Sequence, residues 1–93
     1  MLLLNRAGHA IGIFEVSSGG SAGTILDPKI IFATALKSCA ANFTIAHNHP
    51  SGNLQPSKED LNITKRIIEA GKLLDLRLFD HLIITTDGFY SFV

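Results

Sequence analysis

The sequence has a single cysteine, no excess of charge of either sign and no long apolar run. Cys39 alone can form neither an internal disulfide nor a zinc site of several cysteines, so a metal would need histidine and carboxylate ligands. Eight Lys and Arg residues balance eight Asp and Glu residues, which excludes a large electrostatic footprint for nucleic acid or a membrane surface. The apolar runs are shorter than the roughly 18 residues of a membrane span, and residues 1–4 are too few for a signal peptide core. We therefore expect a cytoplasmic location.

What the sequence does contain is the composition of one ordinary globular domain, with 93 residues of which 46% are hydrophobic and 17% charged. A chain of this length has a small core, which a few well-packed elements, a partner or a metal must stabilise. Four histidines are the one unusual feature. Two of them, His47 and His49, are separated by a single residue.

The hydrophobic periodicity predicts the element order β-β-α-β-α-β-β. The run at residues 43–46 is apolar without alternation, which indicates a central strand covered on both faces and a mixed sheet sandwiched by helices. The glycine-rich residues 19–23 lack the GxGxxG spacing of a phosphate loop and are interpreted as a turn. The predicted strands cover residues 2–5, 10–17, 42–47, 76–86 and 89–93, and the predicted helices cover residues 28–41 and 57–74.

A candidate metal site lies where the central strand ends. Residues two apart on a strand point to the same side, so His47 and His49 are predicted to project together. Asp60 follows in the first turn of the second helix, where the helix dipole favours an ionised carboxylate. Two imidazoles and a carboxylate would hold a zinc ion and leave one position for water.

Structural alternatives apply to each of these residues. Ser57 and Asp60 also fit a capping box, and the paired imidazoles of His47 and His49 could simply form hydrogen bonds. Glu15, on the apolar period of the second strand, is a candidate proton acceptor or a charge in solvent. Asp80 and His81 point to opposite faces of a strand, so we expect them to support the ligands rather than bind metal directly.

These residues carry a resemblance to the RadC family of bacterial proteins, within the wider JAMM (MPN+) metalloprotease fold. The pattern of that fold is a Glu followed by His-X-His, seven further residues, Ser, two residues and Asp. In this sequence the seven residues between His-X-His and Ser are 50–56. The match extends to Asp27-Pro28 and to the Tyr90-Ser91-Phe92 string. The residues that carry the resemblance most directly are His47-Asn48-His49-Pro50-Ser51-Gly52, Pro56-Ser57, Asp60 and Asp80-His81.

The resemblance implies a single JAB/MPN-like domain over residues 1–93, with the three-layer α/β/α arrangement of cytidine-deaminase-like folds. It also implies one zinc per chain, with His47, His49 and Asp60 as its ligands. Glu15 would be the base and Ser57 would stabilise the oxyanion, although capping the helix would compete for the same hydroxyl. Family members usually carry a further N-terminal segment, often with a helix-hairpin-helix region, so we expect a short variant or a shortened chain. Apolar surface left by a missing helix would then be covered by a partner or another copy, as in a homo-oligomer.

The function implied is metal-assisted hydrolysis of an amide bond, that is, a zinc metallopeptidase or isopeptidase with a peptide or isopeptide substrate. The alternative is a non-catalytic module of the RadC family that is associated with DNA repair or binds partners. Zero net charge argues against nucleic-acid binding by these residues alone. An HNH nuclease does not fit, because its motif is spread over a hairpin and a helix, and a zinc deaminase does not fit without Cys-X-X-Cys.

Overall fold

A computed structural model describes residues 1–15, 26–49 and 53–92, in which the predicted order of five strands and two helices is observed. The predicted turn at residues 19–23, the end of the second predicted strand at 16–17, loop residues 50–52 and residue 93 lie outside the described residues. The strands are β1 Leu2–Leu4, β2 Ala10–Ile13, β3 Asn42–Asn48, β4 Arg77–Thr85 and β5 Gly88–Ser91, and the helices are α1 Pro28–Lys37 and α2 Lys58–Leu74.

The five strands form one mixed sheet in the order β2-β1-β3-β4-β5, which confirms the α/β class. β3 and β4 are parallel and the other three pairings are antiparallel. Parallel neighbours require a crossover, and α2 provides it. The chain therefore leaves the carboxyl end of β3 and enters the first turn of α2, which brings the predicted ligands to one edge of the sheet.

Both helices pack on the same face of this sheet. Phe32 of α1 meets Phe43 of β3 edge-on, with ring centroids 5.7 Å apart. On α2, the Thr64 hydroxyl is hydrogen-bonded to His81 of β4, which points to the same side as Phe43 through the register of β3 and β4. The shared core consists of Leu3, Leu26, Ile31, Phe32, Ala35, Phe43, Ile45, Ile67, Leu76 and Leu78.

Burial along β3 alternates, although the sequence predicted cover on both faces. Phe43, Ile45 and His47 are buried, whereas Ala46 is exposed. Ala46 and Thr44 have small or hydroxylated side chains, which tolerate solvent. The run at residues 43–46 therefore did not require a second layer of helices on the other face of the sheet. Within the described ranges the helices supply cover on one side only, and Ile13 and Phe89 remain 81% and 67% exposed.

The ends of the helices follow local sequence signals. Asp27 caps α1 by accepting from the backbone N–H of Lys29 at 2.9 Å, with Pro28 at the start of the helix. α2 continues through Gly71, where an added Cβ would lie 2.1 Å from the carbonyl oxygen of Leu76. Glycine is therefore required here by a close approach of backbone. Neither of these helices is long and apolar enough to span a membrane.

Candidate metal centre

The three predicted ligands lie together at the carboxyl end of β3. One ligand atom from each of His47, His49 and Asp60 lies within 4.8 Å of the others. The Nε2 atoms of the two histidines are 3.1 Å apart. The Asp60 carboxylate places Oδ1 3.5 Å from Nε2 of His47 and Oδ2 3.3 Å from Nε2 of His49.

Strand geometry places the two imidazoles side by side. His47 lies within β3, and the backbone N–H of His49 donates to the carbonyl of Ile84 on β4 at 3.2 Å. The chain thus remains bonded to its neighbour one residue beyond the end of β3. Because it stays extended, residues 47 and 49 share a face, as the spacing predicted.

The capping box and the candidate ligand set are present at the same time in Asp60. Its Oδ2 accepts from the backbone N–H of Ser57 at 2.8 Å, while its own N–H donates to the Ser57 hydroxyl oxygen at 3.0 Å. Asp60 still faces both imidazoles. The two interpretations from the sequence are therefore compatible, because the cap is what fixes the orientation of the carboxylate.

The Ser57 hydroxyl can cap α2 and donate a hydrogen bond at the same time. In the cap its oxygen accepts a hydrogen bond through a lone pair, and that bond does not use the hydroxyl proton. The competition expected from the sequence is thus not required by this geometry. Its participation in catalysis stays a prediction.

The ring of His49 is held from its other side. Its Nδ1 lies 2.8 Å from the backbone carbonyl of Asn53, and a carbonyl can only accept, so Nδ1 carries the proton. In the neutral ring Nε2 then has a free lone pair. This is the atom that faces His47 and Asp60.

His81 contacts a candidate ligand, as expected for a supporting residue. It is fully buried, with Nε2 2.9 Å from Nδ1 of His47 and Nδ1 2.6 Å from the hydroxyl of Thr64. Phe92 stacks on it with ring centroids 4.3 Å apart. Its neighbour Asp80 points away and accepts from the backbone N–H of His81 at 2.7 Å and from the Ser91 hydroxyl at 2.8 Å, so it braces β4.

The protonation states in the cluster suit a cation. Burial lowers the pKa of His47 and outweighs the opposing charge of Asp60. Burial would raise the pKa of Asp60, but hydrogen bonds from Ser57 and the nearby imidazoles lower it overall. Burial, reinforced by His47, lowers the pKa of His81 to about 4. At neutral pH His47 and His81 are therefore neutral and the Asp60 carboxylate is ionised, and metal binding requires a neutral imidazole and an ionised carboxylate.

Glu15 is not among the residues that come together. β2 and β3 are each antiparallel to β1, so Glu15 follows β2 at the same edge of the sheet as His47, but with β1 in between. Two strand spacings correspond to about 10 Å. Gly12 pairs with the buried Leu3 and Ile13 is exposed on the opposite face. A chain that stays extended would carry the exposed Glu15 to that face as well, so its role as base stays a prediction.

The sequence reasoning missed Thr64 and Asn53. Thr64 lies one helical turn after Asp60 and is 5% exposed. In the sequence, the available signal was a hydroxyl residue among the apolar positions of the second helix. Asn53 contacts His49 through its backbone carbonyl. No side-chain signal could have identified that contact.

The donor set fits a zinc ion. Two imidazoles and one carboxylate are ligands that zinc accepts, and three protein ligands leave a fourth position open. The Nε2 atoms of His47 and His49 lie 3.1 Å apart beside the Asp60 carboxylate, and a cation or a proton between them offsets the repulsion of these electron-rich atoms. The geometry is therefore one that could hold a metal ion.

Comparisons with known proteins gave a family match over the whole chain and relatives over most or all of it. Residues 1–93 match a family described as the RadC-like JAB domain. The chain is 46% identical over its whole length to a UPF0758 protein of Flavobacterium johnsoniae, covering 41% of that protein. It is 45% identical over 84 residues, 90% of the chain, to one of Syntrophomonas wolfei, covering 36% of it. UPF0758 protein STH371 of Symbiobacterium thermophilum is 37% identical over 92 residues. The chain spans about two fifths of the length of these relatives.

Proposed function

The chain belongs to the RadC-like JAB domain family, and on this premise we propose that it is a zinc-dependent hydrolase of peptide or isopeptide bonds. The observation that carries the proposal is the convergence of His47, His49 and Asp60. Each imidazole turns its Nε2 atom towards the carboxylate. The activity, substrate and zinc requirement are all part of this proposal.

His47, His49 and Asp60 would hold the ion. When bound there, zinc would lower the pKa of a coordinated water to about 7 and so supply a nucleophile at neutral pH. Asp60 keeps its negative charge because Ser57 hydrogen-bonds to it. The Ser57 hydroxyl would donate a hydrogen bond to the carbonyl oxygen of the substrate as that oxygen gains charge. Glu15 would accept the proton of the water and return it to the leaving amine.

Zinc content tests the site directly. We expect about one zinc per purified chain by elemental mass spectrometry, lost in His49→Ala because one of three ligands is removed. His9→Ala is the matched control, since His9 lies exposed in the turn between β1 and β2 and its loss should leave zinc unchanged. A folded His47→Ala/His49→Ala variant that retained full zinc would disprove the site.

A second candidate is a metal-holding module that binds partners without hydrolysis. It is favoured by the position of Glu15, which lies outside the ligand cluster. Glu15→Gln separates the two functions when assayed on a fluorescence-quenched peptide library, with Glu69→Gln as the control on an exposed part of α2. Retained zinc with lost cleavage supports the hydrolase, whereas absence of cleavage in the wild-type chain supports the binding module.

A further inference from the structure

A continuous chain of hydrogen bonds links the second helix to the candidate metal ligand His47. It starts at the backbone carbonyl of Asp60, which lies 2.7 Å from the Thr64 hydroxyl. That hydroxyl lies 2.6 Å from Nδ1 of His81, and Nε2 of His81 lies 2.9 Å from Nδ1 of His47. The direction of each bond can be derived from the chemistry of its partners.

The carbonyl end fixes the first two bonds. The Asp60 carbonyl can only accept, so the Thr64 hydroxyl donates its single proton to it. Thr64 then has only lone pairs to offer to His81. The bond between them therefore requires a proton on Nδ1 of His81.

The remaining bond follows from the burial of His81. The ring is 0% exposed, which favours its neutral form with a single N–H. With Nδ1 protonated, Nε2 of His81 must accept, and Nδ1 of His47 must donate to it. His47 is then left with a bare lone pair on Nε2, the atom that faces His49 and Asp60.

We propose that Thr64 and His81 are positioning residues that set the tautomer of His47 and so keep its Nε2 atom free to bind a cation. The inference rests on the proposed metal site. Histidine ligands are more often oriented by a carboxylate or a backbone carbonyl, as the carbonyl of Asn53 orients His49. His47 instead depends on a neutral histidine and a threonine, whose hydroxyl is oriented by the carbonyl of Asp60.

Water cannot easily replace this arrangement. Thr64 is 5% exposed and His81 fully buried, and Phe92 covers the His81 ring at a centroid distance of 4.3 Å. Asp60 contributes at both ends, with its carboxylate beside His47 and its carbonyl at the start of the hydrogen-bond chain. The first turn of α2 thus fixes the position of the Asp60 carboxylate and also the tautomer of the neighbouring His47 imidazole.

The test removes the hydroxyl while preserving side-chain volume. In Thr64→Val, Nδ1 of His81 has no acceptor, so the His81 proton moves to Nε2 and is donated to Nδ1 of His47. The proton of His47 is then forced onto its Nε2 atom, where it competes with a cation. Thr64→Ser keeps the hydroxyl and is the matched control.

Two measurements read the result. Imidazole ¹⁵N NMR of the zinc-free protein at neutral pH should show both His47 and His81 protonated at Nδ1 in the wild type and in Thr64→Ser, and at Nε2 in Thr64→Val. Zinc titration against a chromophoric chelator should show a dissociation constant about 10- to 100-fold weaker in Thr64→Val, as for other residues that orient a ligand, with affinity restored in Thr64→Ser.

The outcomes separate this inference from the proposed function. A wild-type chain that does not bind zinc refutes the proposed site, but its zinc-free NMR spectra still show which tautomers are present. A folded Thr64→Val protein with wild-type zinc affinity and an unchanged His47 tautomer overturns the positioning role. A proton on Nε2 of His47 in the zinc-free wild type overturns it even if Thr64→Val does not fold.

Discussion

Replacing Asp60 by asparagine separates its place in the helix cap from its place beside the imidazoles. The amide oxygen of Asp60→Asn can still accept from the backbone N–H of Ser57, where the carboxylate now accepts at 2.8 Å. The amide NH₂ then takes the position of Oδ1, 3.5 Å from Nε2 of His47, and can donate to its lone pair. The zinc-free Asp60→Asn protein should therefore lose little stability. Zinc binding should be weakened, because a cation would meet the amide NH₂ group where the wild type has a negatively charged oxygen.

The magnitude follows from linkage between zinc binding and folding. At a free zinc concentration 100 times the dissociation constant, bound zinc adds about 2.7 kcal/mol to the free energy of unfolding. Loss of a charged ligand should weaken binding by at least about 100-fold, the upper end for residues that only orient ligands. The same zinc concentration then adds only about 0.4 kcal/mol to the free energy of unfolding of Asp60→Asn. For a domain of this size the difference corresponds to a change in Tm of roughly 10 °C or more.

Thermal unfolding by circular dichroism, with chelator or with buffered zinc, measures both effects. Ser57→Ala is the complementary variant, because it removes the cap hydroxyl that accepts from Asp60 at 3.0 Å but keeps the carboxylate. We expect Ser57→Ala to lower the zinc-free free energy of unfolding by about 1 kcal/mol and to retain most of the zinc-induced stabilisation. A zinc-induced Tm shift in Asp60→Asn equal to that of the wild type would refute the assignment of Asp60 as a ligand.

Two further predictions concern stability. In chelator-treated protein the free energy of unfolding should decrease by about 3 kcal/mol as the pH falls through the range from 6.5 to about 4, because the unfolded chain protonates His81 where the buried ring stays neutral. The lowered pKa values of His47 and Asp60 add to the loss, and that of Asp60 extends it to lower pH. Urea unfolding at several pH values measures the slope, and a slope in His81→Gln as steep as that of the wild type would contradict the assignment to His81. Gly71→Ala should lower the free energy of unfolding by about 2 kcal/mol despite the helix preference of alanine, because the added Cβ meets the carbonyl oxygen of Leu76 at 2.1 Å. An unchanged urea midpoint, with Asn62→Ala as the exposed control on α2, would show that the backbone moves aside.

Much of the fold and site could be predicted because the signals are local. The spacing of His47 and His49 fixes a shared face on any extended strand, and the capping box joins two residues that are three apart, Ser57 and Asp60. The order of elements followed from periodicity and from turn residues. A crossover between parallel strands then brought the start of α2 to the end of β3.

The sequence itself thus determined the candidate ligands and the helix starts, which depend on residues close together in the chain. It also determined the element order from which a mixed sheet was predicted. Only the tertiary structure decided that the described helices share one face, that Glu15 lies apart from the ligands and that His81 contacts His47. His81 is 17 residues from Thr64 and 34 from His47, and contacts over such separations depend on how the elements pack. Packing also gave His81 its low pKa, because burial is a property of the assembled core.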